Sequence, residues 1–167
     1  GKTVVAAKMI SIRKRNTLVL VHRRQLLDQW RERLAAFLNI SDKDIGQIGG
    51  GKTKPTGQLD IGILQSFYRK GEVNDIVAEY VYIIVDECHH LSAFSFEQIM
   101  EKAKAKYILG LTATPLRKDG HHPIILMQYG PIRFRVAAKY AAENRTFDHI
   151  MIPRYADTKY THTTKES

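Results

Sequence analysis

Three short stretches hold the side chains that could do chemistry. Gly1-Lys2-Thr3 opens the chain and runs into a segment, Val4 to Lys14, that has neither Gly nor Pro and reads as a helix. A lysine and a hydroxyl at a helix start are what a phosphate-binding loop needs at its end, where free N–H groups and the helix dipole face the phosphates. Past the middle, Tyr82-Ile83-Ile84-Val85-Asp86-Glu87 ends an apolar run in two carboxylates. The dipeptide alone arises often by chance, but two carboxylates at the end of a buried strand repel one another unless a cation or proton lies between them. Magnesium would supply that cation, and the lysine-threonine loop would supply the nucleotide it accompanies. The third stretch, Gly46-Gln47-Ile48-Gly49-Gly50-Gly51-Lys52-Thr53, matches the full string G-x-x-x-x-G-K-[ST]. Pro55 and Gly57 follow at once, so no long helix can start there. Residues 46–64 therefore read as two extended pieces joined by a Gly-rich basic loop, an exposed segment suited to touching a nucleic-acid backbone rather than binding a nucleotide through Lys52.

Helix and strand signals alternate around these stretches. Thr17–Val21, Ile61–Leu64, Val81–Val85 and Tyr107–Leu111 are short apolar runs and read as buried strands. From Gln25 to Leu38, Leu27, Trp30, Leu34 and Phe37 recur at steps of three and four, the stripe of an amphipathic helix with Trp30 in the core. Phe96, Ile99, Met100 and Ala103 mark another helix, and Ile132–Val136 alternates like a strand wetted on one face. Continuous apolar strands separated by helices imply an α/β fold with a mainly parallel sheet covered on both faces. In such a sheet the residues after each strand lie along one carboxyl edge, where ligands bind. Here these are His22-Arg23-Arg24, Gln65-Ser66, Asp86-Glu87 and Thr112-Ala113-Thr114.

Composition narrows the function classes. In 167 residues, 44% hydrophobic and 26% charged usage is ordinary for one globular domain and argues against disorder. No apolar run approaches the roughly 18 residues of a membrane helix, and no secretory signal opens the chain. A lone cysteine, Cys88, cannot form an internal disulfide and fits a reducing cytoplasm. The net charge is +9, with 12 basic and 5 acidic groups in residues 1–60, 5 and 7 in residues 61–115, and 9 and 5 in residues 116–167. Basic flanks of this kind suit a polyanion, nucleic acid first, or serve solubility alone.

Taken in order, the motifs resemble the first motor domain of a superfamily 2 helicase or translocase of the DExH type. Gly1-Lys2-Thr3 resembles the end of motif I, His22-Arg23-Arg24-Gln25-Leu26-Leu27 motif Ia, Asp86-Glu87-Cys88-His89 motif II and Thr112-Ala113-Thr114-Pro115 motif III. Gln65-Ser66-Phe67 resembles the nucleic-acid-contacting segment after the third strand. XPB-like helicases and the motor subunits of type III restriction enzymes are the nearest likeness, although Arg117-Lys118-Asp119 departs from the Arg-Glu-Asp that often follows motif III in the former. The resemblance implies a three-layer α/β/α RecA-like P-loop NTPase domain over residues 1–157, truncated inside its phosphate loop, with 158–167 a tail or linker toward a second motor domain.

It further implies that ATP and Mg²⁺ are used. Gly1, Lys2 and Thr3 would bind the nucleotide, Thr3 and Asp86 would hold the metal, and Lys2, Asp86 and Glu87 would carry the hydrolysis. His89, Thr112 and Thr114 would couple the nucleotide state to movement, and Arg23, Arg24, Gln65 and Ser66 would grip nucleic acid, DNA rather than RNA. The rival reading is a non-catalytic nucleic-acid-binding module that keeps the motor fold. Two lesser readings, zinc held by Cys88-His89-His90 with His121-His122, and Cys88 as a nucleophile, fit poorly, since three adjacent residues do not easily aim at one ion and Cys88 fills the variable position of motif II.

Overall fold

The computed structural model describes residues 1–69, 71–87, 93–113 and 132–133, with the side chains of Ala93 and Ser95 excepted. Residues Gly1–Pro131 group into one compact unit, and the description below concerns that unit. The elements run α1 (Lys2–Arg13), β1 (Thr17–Val21), α2 (Arg24–Leu38), β2 (Gly46–Gly49), β3 (Lys52–Lys54), β4 (Leu59–Ile63), β5 (Tyr68–Arg69), β6 (Glu72–Val73), β7 (Tyr82–Asp86), α3 (Ala93–Lys102) and β8 (Tyr107–Leu111), with short 3-10 turns between several of them.

Six strands form one sheet in the order β3-β2-β4-β1-β7-β8. β1 lies between β4 and β7 and runs parallel to both, β2 is parallel to β4, and β8 is parallel to β7. Among the described residues of this sheet, only β3 is antiparallel, pairing with β2. The alternation of side chains across the pleat explains why the strands read as unbroken apolar runs. On one face Val19, Val21, Tyr82 and Ile84 pack with Ala6, Ile10, Leu27, Trp30 and Leu34 from α1 and α2. On the other face Leu18, Leu20, Ile83 and Val85 pack with Phe96 and Ile99 from α3. Both faces are covered, which gives the expected three layers.

Two sequence expectations are corrected. The stripe of α2 predicts a buried Phe37, yet it is 52% exposed, because after Leu34 the core-facing side continues one turn on at Leu38 and Phe37 falls beside it. The sequence predicts two extended pieces around a loop over residues 46–64, but they form three strands, since the glycines close a tight hairpin. Gly50 and Gly51, with φ of 66° and 89°, connect the Gly49–Lys52 pair. A two-residue turn with both φ positive matches the twist of the flanking strands and suits glycine at both positions. The alternating run from Ile132 to Val136 lies largely outside the described residues.

A buried carboxylate braces this side of the sheet. Asp60 on β4 is fully buried and accepts from the Thr56 N–H and hydroxyl, each at 2.8 Å, from the Gly57 N–H at 2.8 Å and from the Tyr80 hydroxyl at 2.5 Å. A Cβ at Gly46 would stand 1.8 Å from Asp60 Oδ1, so the neighbouring strand needs glycine there. Burial first, and then the Asp60 carboxylate, raise the pKa of the Tyr80 phenol well above its ordinary value.

Candidate nucleotide site and nucleic-acid edge

The register of the parallel strands brings their exits to one edge. α1 starts at Lys2, with Gly1 as the capping residue, and the Val4 and Val5 N–H groups bond the Gly1 carbonyl. Thr3, on the first turn, is 7% exposed and Asp86, the last residue of β7, is 6% exposed. Lys2 Nζ is ion-paired with Glu87 Oε1 and lies 3.8 Å from Asp86 Oδ1. Lys2, Thr3, Asp86 and Glu87 line a cavity of about 190 Å³, whose other wall is α2 through Leu26, Gln29, Trp30 and Arg33.

The two carboxylates are held differently. Asp86 Oδ2 accepts from Trp30 Nε1 at 2.8 Å, and Oδ1 accepts from the Glu87 N–H at 3.0 Å. Glu87 itself has φ of 50°, in the left-handed region that costs a non-glycine residue about 1 kcal/mol or more. That turn at the end of β7 brings its carboxylate to Lys2. The donor set fits a magnesium ion: Thr3 would offer a hydroxyl and Asp86 a carboxylate, hard oxygens of the kind this ion prefers, and Lys2 lies beside Asp86.

A second cluster lies at the exits of β1, β2 and β4. Arg23 caps α2 and Arg24 begins it, both exposed. The glycine turn of the β2–β3 hairpin packs beside Arg24: a Cβ at Gly50 would be 3.6 Å from Arg24 Cγ, and one at Gly49 would be 1.9 Å from Ser66 Oγ. Gln65 is exposed, with its Nε2 3.3 Å from the His22 carbonyl, which ties the exits of β4 and β1. Arg24, Ser66 and the hairpin turn thus meet at one place, and the Gly46–Thr53 string that resembles a phosphate loop belongs to this cluster rather than to the cavity beside Lys2. Thr112 follows β8, whose Leu111 pairs with Asp86, so it stands at the neighbouring strand exit. His89 and Thr114 lie outside the described residues, as do Cys88, His90, His121 and His122.

Trp30 is in the core, as its helical stripe predicts, but the stripe says nothing of its bond to Asp86. The signal was available, because a buried indole N–H must find an acceptor. Gln29 and Arg33, polar residues one turn of α2 apart, carried no such signal.

The parallel sheet, the helix that starts at Lys2 and the acidic strand end define a RecA-like motor domain of the superfamily 2 helicase class. The chain belongs to the family described as type III restriction enzyme, res subunit, whose model matches residues 1–117. It is 37% identical over 148 residues to the DNA 3'-5' translocase XPB2 of Sulfurisphaera tokodaii, which covers 86% of this chain and 32% of that protein. It is 31% identical over 140 residues to the DNA 3'-5' helicase XPB of Mycobacterium tuberculosis, covering 80% and 25%. The crystal structure of T4 UvsW superposes with a TM-score of 0.65 at 19% identity, over 78% of this chain and 28% of that one, a likeness of fold. The chain therefore spans a third or less of the length of these relatives. Family membership implies the use of a nucleotide. Among the described residues no helix is long and apolar enough to cross a membrane.

Proposed function

We propose that this chain is the first, ATP-binding domain of a motor that hydrolyses ATP with Mg²⁺ to move along or unwind nucleic acid, DNA rather than RNA. The observation that carries the reading is the contact of Lys2, at a helix N-terminus, with Asp86 and Glu87 beside a cavity that Thr3 also lines. Lys2 binds the β- and γ-phosphates and balances the charge that develops there in phosphoryl transfer. Thr3 and Asp86 would hold the metal, which when bound would screen the charge of the phosphate oxygens and so favour attack of water on the γ-phosphorus. Glu87 orients the attacking water and takes its proton. Arg23, Arg24, Gln65 and Ser66 grip the phosphodiester backbone, giving affinity without choice of sequence. Thr112, with His89 and Thr114, relays the nucleotide state toward a second motor domain. The names of the relatives support DNA as the track, and the basic residues 1–60 support a polyanion in general.

The test is ATP hydrolysis with and without DNA in the intact polypeptide that contains these residues. DNA-stimulated turnover that Lys2→Ala abolishes is expected. Nucleic-acid binding without ATP turnover, unchanged by Lys2→Ala, would replace the motor with a non-catalytic binding module.

A further inference from the structure

We infer that Trp30 is a positioning residue that sets the Asp86 carboxylate for its divalent cation; the inference rests on the nucleotide-and-metal reading above. A carboxylate turns easily about its terminal bond, because that torsion has broad minima. Here the indole N–H fixes Oδ2 at 2.8 Å from within the core, and the Glu87 N–H reaches Oδ1 at 3.0 Å. With Oδ2 engaged toward the core, Oδ1 is the oxygen on the Lys2 side, where the cation would share it with the Thr3 hydroxyl.

The chemistry of the donor matters. A lysine or arginine in place of Trp30 would also hold the carboxylate, but its charge would compete with the cation. An indole N–H is neutral, donates only and does not titrate, so it orients Asp86 and leaves its full negative charge to the metal. The burial is consistent with this role. Trp30 is 3% exposed, at a place where Leu27 and Leu34 supply packing without any polar atom, so an apolar ring would have filled the space equally well.

The test measures ADP binding against Mg²⁺ concentration by calorimetry, in wild type, Trp30→Phe and Asp86→Asn. Trp30→Phe keeps a ring in the core and removes the N–H. The Mg²⁺ concentration that gives half the full gain in ADP affinity should rise about tenfold or more, the usual size of a lost outer-sphere donor. ADP binding without Mg²⁺ should stay within twofold. A half-point within twofold of wild type, while Asp86→Asn loses the Mg²⁺ dependence, overturns the role of Trp30 and leaves the site intact. If wild type itself shows no Mg²⁺-dependent ADP binding, the reading of the site falls and the inference with it. Should Trp30→Phe not fold, the wild-type chain answers alone, because Trp30 is the sole tryptophan of the 167 residues. The assigned indole N–H resonance of Trp30 should resist solvent exchange and shift on adding Mg²⁺-ADP, and a rapidly exchanging, unmoved resonance overturns the inference.

Discussion

Replacing Glu87 with Gln should separate binding from chemistry, and in opposite directions. In the free site the Glu87 carboxylate is paired with Lys2, the cation that nucleotide phosphates would need. Lys2 is 32% exposed and Glu87 21%, so solvent screens the pair and its strength lies at the exposed end of the range, about 0.2–1 kcal/mol. Glu87→Gln removes that competitor and leaves Lys2 with Asp86 at 3.8 Å. Since 1.4 kcal/mol is tenfold in affinity, the variant should bind ATP about 1.4- to 5-fold tighter. Hydrolysis should fall by about 10²- to 10⁴-fold, the usual worth of a general base. The assay is equilibrium nucleotide binding by calorimetry beside phosphate release at saturating ATP, at low and moderate salt. The gain in affinity should shrink as salt rises. Binding weakened more than tenfold, or turnover kept within tenfold of wild type, would refute the assignment of both residues.

Two further outcomes concern stability. Asp60→Ala should lower unfolding free energy by about 2–4 kcal/mol in urea titration, because it strands the buried Tyr80 hydroxyl and the donors of the Thr56-Gly57 turn; a loss under 1 kcal/mol would mean that water satisfies them. Tyr80 gives a pH dependence. Its folded-state pKa is raised above the unfolded value of about 10, so the native phenol stays neutral while the unfolded one ionises. The stability this contributes is whole below about pH 10 and declines as pH climbs beyond it. Tyr80→Phe should flatten that decline in denaturation curves taken between about pH 9 and 11, though Tyr82, also raised by burial, retains part of it.

The layers were legible in the sequence because a strand buried on both faces leaves an unmistakable mark. Thr17–Val21 and Tyr82–Val85 contain nothing but residues that suit a core, and each supplies both faces of the sheet. The meeting of Lys2 with the acidic pair was legible for a different reason: Lys2 and Glu87 lie 85 positions apart in the chain, yet the parallel topology sends a helix start and a strand end to the same edge. Three things escaped. The β2–β3 hairpin has strands of four and three residues, too short for periodicity to register, and its glycines imitate another motif. Asp60 stood in the run Leu59-Asp60-Ile61, where a lone carboxylate could have been noticed but its partners Thr56 and Tyr80 could not, since they come from separate turns. Trp30 satisfied a helical stripe so well that its polar atom went unasked.

The outermost strand of the sheet, β3, is only Lys52-Thr53-Lys54, and all three residues are exposed. An unpaired flank of backbone donors and acceptors is an invitation to a neighbouring molecule, and length and flatness make it worse. Here the flank is three residues long, is guarded by two ammonium groups that repel an identical copy, and ends at a glycine turn. Lengthening this strand or neutralising its lysines would invite stacking of one molecule on the next at high concentration, a hazard set by the rim of the sheet and independent of the edge where the strands exit.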